Sequence, residues 1–325
     1  MDWLTVGLWG CLFKFKDLRN PDVLQVGDFC GVDVPLILGE CATMAKGSFM
    51  SAILRKCVLA LAVGVAGCGD DDNNLKITGP EASKGSGRAY PIKEVSFPSN
   101  DGVQVSALFG VASDGQSLPT VILLHDLGGN KNDWLLGTGA FTALLENEYA
   151  VLAIDLRGHG DTPLPEERQV LELNDLENSF LDVHAALTWL QGQSAVNANR
   201  IGVVGSGSGG NVAYVSLGIF PEQIKTGISL SPGLWERTSL QPAVIGSGID
   251  PFDPRSILFM VGEEDLIQGD DITLSYVDFA RNLEALTAEP KDLRVFQNSA
   301  DHGFELLNNV PEALDLLLLW LETNL

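Results

Sequence analysis

The chain has 325 residues, 45% of them hydrophobic, and a net charge of −23 at neutral pH. That is enough apolar sequence for one sizeable core, while so acidic a surface repels nucleic acid and argues against DNA or RNA as a partner. All five cysteines (Cys11, Cys30, Cys41, Cys57 and Cys68) lie in the first 68 residues, so the body can form neither an internal disulfide nor a cysteine-rich zinc or redox site.

Residues 44–67 read as a secretory signal. Lys46, Arg55 and Lys56 supply a positive flank, and "CVLALAVGVAG" is an apolar run of about 11 residues, too short to span a bilayer comfortably. The run ends in Val65-Ala66-Gly67-Cys68, which resembles a bacterial lipobox. That resemblance implies cleavage before Cys68, lipidation of its side chain, and attachment to the bacterial cell envelope. Gly69 rather than an aspartate after the cysteine favours the outer membrane. Residues 1–43 precede the signal and look like a mis-assigned upstream segment. The first 67 residues hold six basic and six acidic side chains, so the whole net charge falls on the mature part. Residues 68–88, rich in Gly, Ser and Asp, are expected to form a flexible tether.

From residue 89 to 325 apolar runs alternate with helical patterns. "VQVSALFG" (103–110) alternates like a half-exposed strand. "TVILLH" (120–125), "AVLAID" (150–155), "RIGVVG" (200–205), "TGISLS" (226–231), "SILFMVG" (256–262) and "LRVFQ" (293–297) are short and continuous, as suits parallel strands buried on both faces. "DWLLGTGAFTALLENEY" and "LENSFLDVHAALTWLQG" carry apolar residues at helical spacing, with Phe180, Val183, Leu187 and Leu190 on one face of the second. Pro311 opens a last helix. The pattern predicts a single α/β domain with a doubly wound, mostly parallel sheet. About 24 residues separate "TGISLS" from "SILFMVG", too few for a large cap over the site.

Ligands of such sheets sit at the carboxyl ends of the strands. Here those ends carry "LLHDLGGNKNDW", "DLRGHGDT", "GSGSGGN" and "GEED", and "SADHGFELL" follows the last strand. In this order the motifs resemble the α/β-hydrolase fold, and with the leader they look most like bacterial lipoprotein hydrolases of the dienelactone-hydrolase or serine-aminopeptidase-like type. The resemblance implies a nucleophile, then an acid, then a histidine in chain order. Acyl transfer needs these three groups and donors for the oxyanion. His302 is the expected base and Asp265 its orienter, with Glu263 and Glu264 as neighbouring rivals. The backbone N–H of Leu127 is the expected oxyanion donor. His159 is expected to brace loops, and His184 to pack or face solvent. Asp126 stands where the family's His-Gly motif has glycine, and its carboxylate must point away if the hole is to work.

The nucleophile elbow, G-x-S-x-G, departs from the family pattern. Matching from the strand side and from "GGN" both put the nucleophile at position 207, which is glycine. Ser208 takes the vertex if the turn slips by one residue; without the slip its N–H becomes the second oxyanion donor. Ser206 is expected to point away from His302. The expected function is a lipid-anchored serine hydrolase that cleaves a small or short acyl ester through Ser208, Asp265 and His302, with no metal or organic cofactor. A serine peptidase, and a non-catalytic envelope protein with Gly207 at the vertex, are the alternatives.

Overall fold

Five of the six continuous apolar runs form the middle of an eight-stranded sheet. The sixth, "LRVFQ", lies in an edge strand that is mostly half-exposed or exposed, contrary to the expected burial on both faces, because an edge strand has a neighbour on one side only. The computed structural model describes residues 90–112, 117–233, 248, 252–269 and 273–325, with the backbone of two further strands near the N-terminus. Those two, Trp3–Leu8 and Cys11–Lys16, pair antiparallel within a unit spanning Met1–Asp71, and Asp72–Leu325 forms the other. The signal segment, Cys68 and the tether lie outside the described residues, as do residues 234–247.

In the second unit the strands are β1 (Ile92–Pro98), β2 (Gln104–Val111), β3 (Leu118–Leu124), β4 (Ala150–Ile154), β5 (Val196–Ser206), β6 (Ile224–Leu230), β7 (Arg255–Gly262), a small hairpin of β8 (Leu266–Gln268) with β9 (Thr273–Ser275), and β10 (Ala288–Phe296). The large sheet has the order β10-β7-β6-β5-β3-β4-β2-β1. Its β1–β2 and β2–β4 pairs are antiparallel and the rest parallel. The doubly wound, mostly parallel sheet expected from the alternating pattern is the one observed. β1 was not expected: "IKEVSFP" is mostly polar, because an edge strand buries little of either face.

Helices cover both faces. They are α1 (Ala140–Glu146), α2 (Leu173–Glu177), α3 (Phe180–Gln191), α4 (Ser208–Ile219), α5 (Tyr276–Ala285), α6 (Glu305–Asn309) and α7 (Pro311–Asn324). Successive side chains of a strand face opposite ways. In β3, Ile122 and Leu124 therefore join the core under α3, α4 and α5, while Val121 and Leu123 join the core under α1 and α7. Phe180, Val183, Leu187 and Leu190 are all buried on the inner face of α3. The helical pattern over residues 133–149 breaks in two: a π-turn spans Asp133–Gly137, and α1 starts only at Ala140. Burial of each long apolar strand on both faces holds the strand ends rigid. The loops that leave those ends carry the site.

Candidate active site

The turn between β5 and α4 positions the centre of the site. β5 ends at Ser206, α4 begins at Ser208, and Gly207 between them has φ 54° and ψ −115°. Only glycine adopts that conformation without strain. A Cβ at Gly205 would overlap the backbone of Gly209, so the strand can turn this sharply into the helix only with glycine there. The turn has not slipped: Gly207 holds the vertex, and Ser208 is the first residue of the helix. Ser208 presents its amide to the site, where the N–H donates to Asp126 Oδ1 over 2.8 Å.

The loop after β3 brings the opposing groups. His125 is fully buried; its Nε2 accepts from Leu156 N–H at 3.0 Å, and its Nδ1 lies 2.7 Å from the carbonyl oxygen of Asp126, to which it donates. Burial, with a small contribution from His159, pushes its pKa down to about 4, so this histidine is a neutral brace. It holds the backbone from which Asp126 and Leu127 project. The N–H of Leu127 donates to Asp126 Oδ1 over 2.6 Å. Both donors expected to line an oxyanion hole thus converge on one oxygen of Asp126. The carboxylate does not point away from the hole. It occupies it.

Asp265 and His302 complete the group. Asp265 follows β7, is buried, and lies with both carboxylate oxygens 3.0 and 3.1 Å from His302 Nδ1. Glu263 and Glu264 are exposed instead, and Glu263 accepts from Asn298 N–H. On its other side His302 Nε2 faces Asp126 Oδ2 at 3.3 Å. Burial works against the charge of His302, yet the hydrogen bonds to Asp126 and Asp265 outweigh it and push its pKa up to about 9. Burial likewise opposes the charge of Asp126, but the bonds from His302, Ser208 and Leu127 hold its carboxyl below the ordinary range. At neutral pH the resting site is an imidazolium between two carboxylates. The ring of Tyr276 lies 4.4 Å from that of His302, and burial together with the two aspartates pushes its phenol up to about 12, so it stays neutral.

Two hydroxyls fasten the loop that carries the histidine. Ser231 Oγ accepts from Gly303 N–H at 2.8 Å, and Ser206 Oγ accepts from Phe304 N–H at 2.9 Å. Ser206 therefore faces the histidine loop instead of turning from it, although it meets the backbone and not the imidazole. His159 Nδ1 donates to the carbonyl oxygen of Arg157, and His184 stacks on Phe220. Among the described residues, no group of His, Cys, Asp and Glu is arranged to hold a metal ion.

The order of strands, the sharp strand–helix turn and the histidine–aspartate pair meet in one sequence comparison: the model of the Alpha/beta hydrolase family matches residues 121–322. The chain belongs to that family. This alpha/beta hydrolase is similar in fold to the Pyrococcus furiosus esterase Pf2001, with 21% identity and a TM-score of 0.53, covering 78% of this chain and 99% of that one. It is also similar in fold to the dienelactone hydrolase of Anabaena variabilis, with 18% identity, a TM-score of 0.53, and 73% and 99% of the two chains covered. A shorter match, 29% identical over 117 residues, joins it to the quorum-quenching protein AidA of Acinetobacter baumannii and spans 36% of each chain. The family and its fold support a hydrolase.

Asp126 is the residue whose part the motifs did not disclose. The available signal was a pair of departures from the family pattern, aspartate for glycine at 126 and glycine for serine at 207. In space they are one feature. A Cβ at Gly207 would overlap the Asp126 carboxylate, so the second departure makes room for the first.

Proposed function

We propose that the protein hydrolyses a carboxylic ester by attack of water once the ester displaces the Asp126 carboxylate from the cradle: His302, freed of that anion, then acts as base with Asp265 orienting it, and the N–H groups of Leu127 and Ser208 hold the carbonyl oxygen. The observation that carries this reading is the carboxyl group already seated in the cradle, with Oδ1 of Asp126 on both donors and Oδ2 facing His302. An ester carbon in the place of that carboxyl group would be polarised by the same fixed donors and lie beside an imidazole no longer paired with Asp126. Water takes the part of the hydroxyl that a serine acyl-enzyme would need at the vertex, since Ser208 contributes its amide. An ester is preferred to a peptide, because an alkoxide leaves more readily than an amine when no covalent intermediate assists. Leu127, 55% exposed, gives the rim an apolar side chain suited to a small or short acyl group.

A non-catalytic role is the second reading, favoured by the glycine vertex and by a histidine already held between two carboxylates. Turnover of p-nitrophenyl acetate separates the two. Asp126→Gly empties the cradle and should raise turnover above the parent. Adding His302→Ala to that variant should then lower it by about 10²–10⁴-fold. A rate indifferent to His302 leaves the binding protein as the better account.

We also propose that the mature protein is anchored to the envelope through acyl chains at Cys68, with the outer membrane favoured; the "VAGC" run at 65–68 and its basic flank support it. Cys68→Ala should abolish incorporation of radiolabelled palmitate. Undiminished labelling would end the proposal.

A further inference from the structure

We infer that the Asp126 carboxylate is an autoinhibitory latch controlled by the proton on His302 Nε2: loss of that proton to solvent releases the carboxylate from the cradle and leaves the imidazole as a base, so one ionisation both opens and arms the site. The inference rests on the hydrolytic reading above for what the opened site does, and not for the opening itself.

Both ring nitrogens of His302 face carboxylate oxygens, Nδ1 those of Asp265 at 3.0 and 3.1 Å and Nε2 that of Asp126 at 3.3 Å. An ionised carboxylate only accepts, so the ring serves both partners only while each nitrogen carries a proton. A neutral ring keeps its one proton on Nδ1, where buried Asp265 offers both oxygens. Nε2 then turns a lone pair toward Asp126 Oδ2, and an attraction becomes a repulsion between two acceptors. Oδ1 still has the N–H groups of Leu127 and Ser208, but nothing holds the other oxygen. The way out is short, because the side chain is already 28% exposed. Once it leaves, the two N–H groups are free for a carbonyl oxygen and Nε2 is free to take a proton from water. Latched, His302 is no base; unlatched, it is.

The groups around the ring leave this proton to the two aspartates. Among the described residues, three elements bring titratable side chains to His302: Asp126 from the loop after β3, Asp265 from the loop after β7, and Tyr276 from the start of α5, whose phenol stays neutral. On the histidine's own loop, Asp301 is turned to Ser299 and Asn309. Beside Asp126, His125 is a neutral brace and Asp133 accepts from Asn130 N–H. Burial disfavours the imidazolium, and the two aspartates outweigh it, which places the release of the latch near pH 9. Acid does not substitute for base here. Protonating Asp126 loosens the latch but leaves His302 charged, with no lone pair for water.

The test follows p-nitrophenyl acetate hydrolysis from about pH 6 to 10, against protein-free blanks, in the parent, Asp126→Gly and Asp126→Asn. Over the same range NMR follows the His302 ring and the amides of Leu127 and Ser208 in the parent, a readout that needs neither a variant nor turnover. The parent should be slow at neutral pH and gain rate through one ionisation. Asp126→Gly has no latch and one anion fewer beside the ring, so it should exceed the parent about 10-fold at neutral pH, with the gap narrowing as the parent opens. Asp126→Asn should stay slow throughout, because its amide can accept from the two N–H groups and donate to the neutral Nε2. The two amides should titrate together with the ring. A gap between parent and Asp126→Gly that stays constant across the range, or an alkaline gain in Asp126→Asn equal to the parent's, would overturn the latch and leave ester hydrolysis intact. Amides that do not move with the ring would overturn it as well. If none of the proteins consumes the ester while the amides and ring titrate together, the latch stands and the hydrolytic reading alone falls.

Discussion

Two clusters of charge lie close together at the strand ends, and they differ in what they leave open. In the loop after β4, Arg157 binds Asp182 through Nε and Nη2, the latter at 2.8 Å, and reaches Asp101 through Nη1 at 2.8 Å; the Arg157 and Asp182 side chains are 2% and 0% exposed. Lys131 is held the same way, by Asp155 at 2.7 Å and Asp161 at 2.5 Å. At the elbow, His302 and Asp126 are 30% and 28% exposed. In the first cluster the two cations are buried, and each is answered by one buried carboxylate, Asp182 or Asp155, and one at the surface, Asp101 or Asp161; its work is to hold loops. The second is built from a titratable base and a carboxylate oxygen that water and a substrate can reach. A buried cation paired with a buried carboxylate is a strut, whereas a half-open pair that includes histidine can do chemistry.

Breaking the buried cluster should have the largest effect on stability. Arg157→Ala leaves Asp182 buried without its cation and should cost about 3–5 kcal/mol, read from urea unfolding. Asp126→Asn, by contrast, should cost less, about 1–2 kcal/mol, because an amide oxygen can still accept from the N–H groups of Leu127 and Ser208 and only the half-buried charge pair with His302 is lost. Equal losses in the two variants would erase the distinction between strut and site.

Next comes the vertex. Gly207→Ser places a side chain in the left-handed region at about 1–3 kcal/mol of strain and drives it into the Asp126 carboxylate. Alone it should label weakly, or not at all, with a fluorophosphonate. Combined with Asp126→Gly, which removes the obstruction, it should label at residue 207. Strong labelling of the single variant would mean that Asp126 is not held in the cradle. A smaller loss, about 1 kcal/mol, is expected for Ser206→Ala, which removes the acceptor for Phe304 N–H. Ester turnover should fall with it, because the histidine loop loses one of its two fastenings.

The smallest effect is on pH dependence. The pKa of His302 is raised in the folded protein, from an ordinary 6.5 to about 9. The folded state therefore binds more protons than the unfolded one between these values. The stabilisation is fully present below about 6.5 and is lost as the pH rises through about 9. Asp126→Asn removes one of the two anions and should flatten that decline, measured as unfolding free energy across the interval. A decline of the same slope in both proteins would show that Asp265 alone holds the proton.

Much of the architecture was legible in the residues. The runs that became β3 to β7 are apolar on both faces, and a strand so patterned has few places to go but the middle of a parallel sheet. His302 and Asp265 were readable because chain order and strand ends restrict where a base and its partner can meet. β1 was not, since an edge strand pairs one side of its backbone and has no need of continuous apolar sequence. The break before α1 was hidden too: the apolar spacing continues across Gly137 and Gly139, and spacing alone does not register where a backbone turns.

By itself the sequence determined that the vertex is glycine, that an aspartate stands beside the oxyanion donors, and that a histidine and an acid follow in hydrolase order. These are facts of identity and order. Only the tertiary structure decided what the two departures mean to each other. Asp126 and Gly207 are 81 positions apart in the chain, and no local rule couples them. The close approach of the β3 loop to the β5 turn does, because a carboxylate can enter the cradle only where the opposing residue has no side chain. Two converging N–H groups and an imidazole then hold it there more strongly than burial disfavours its charge.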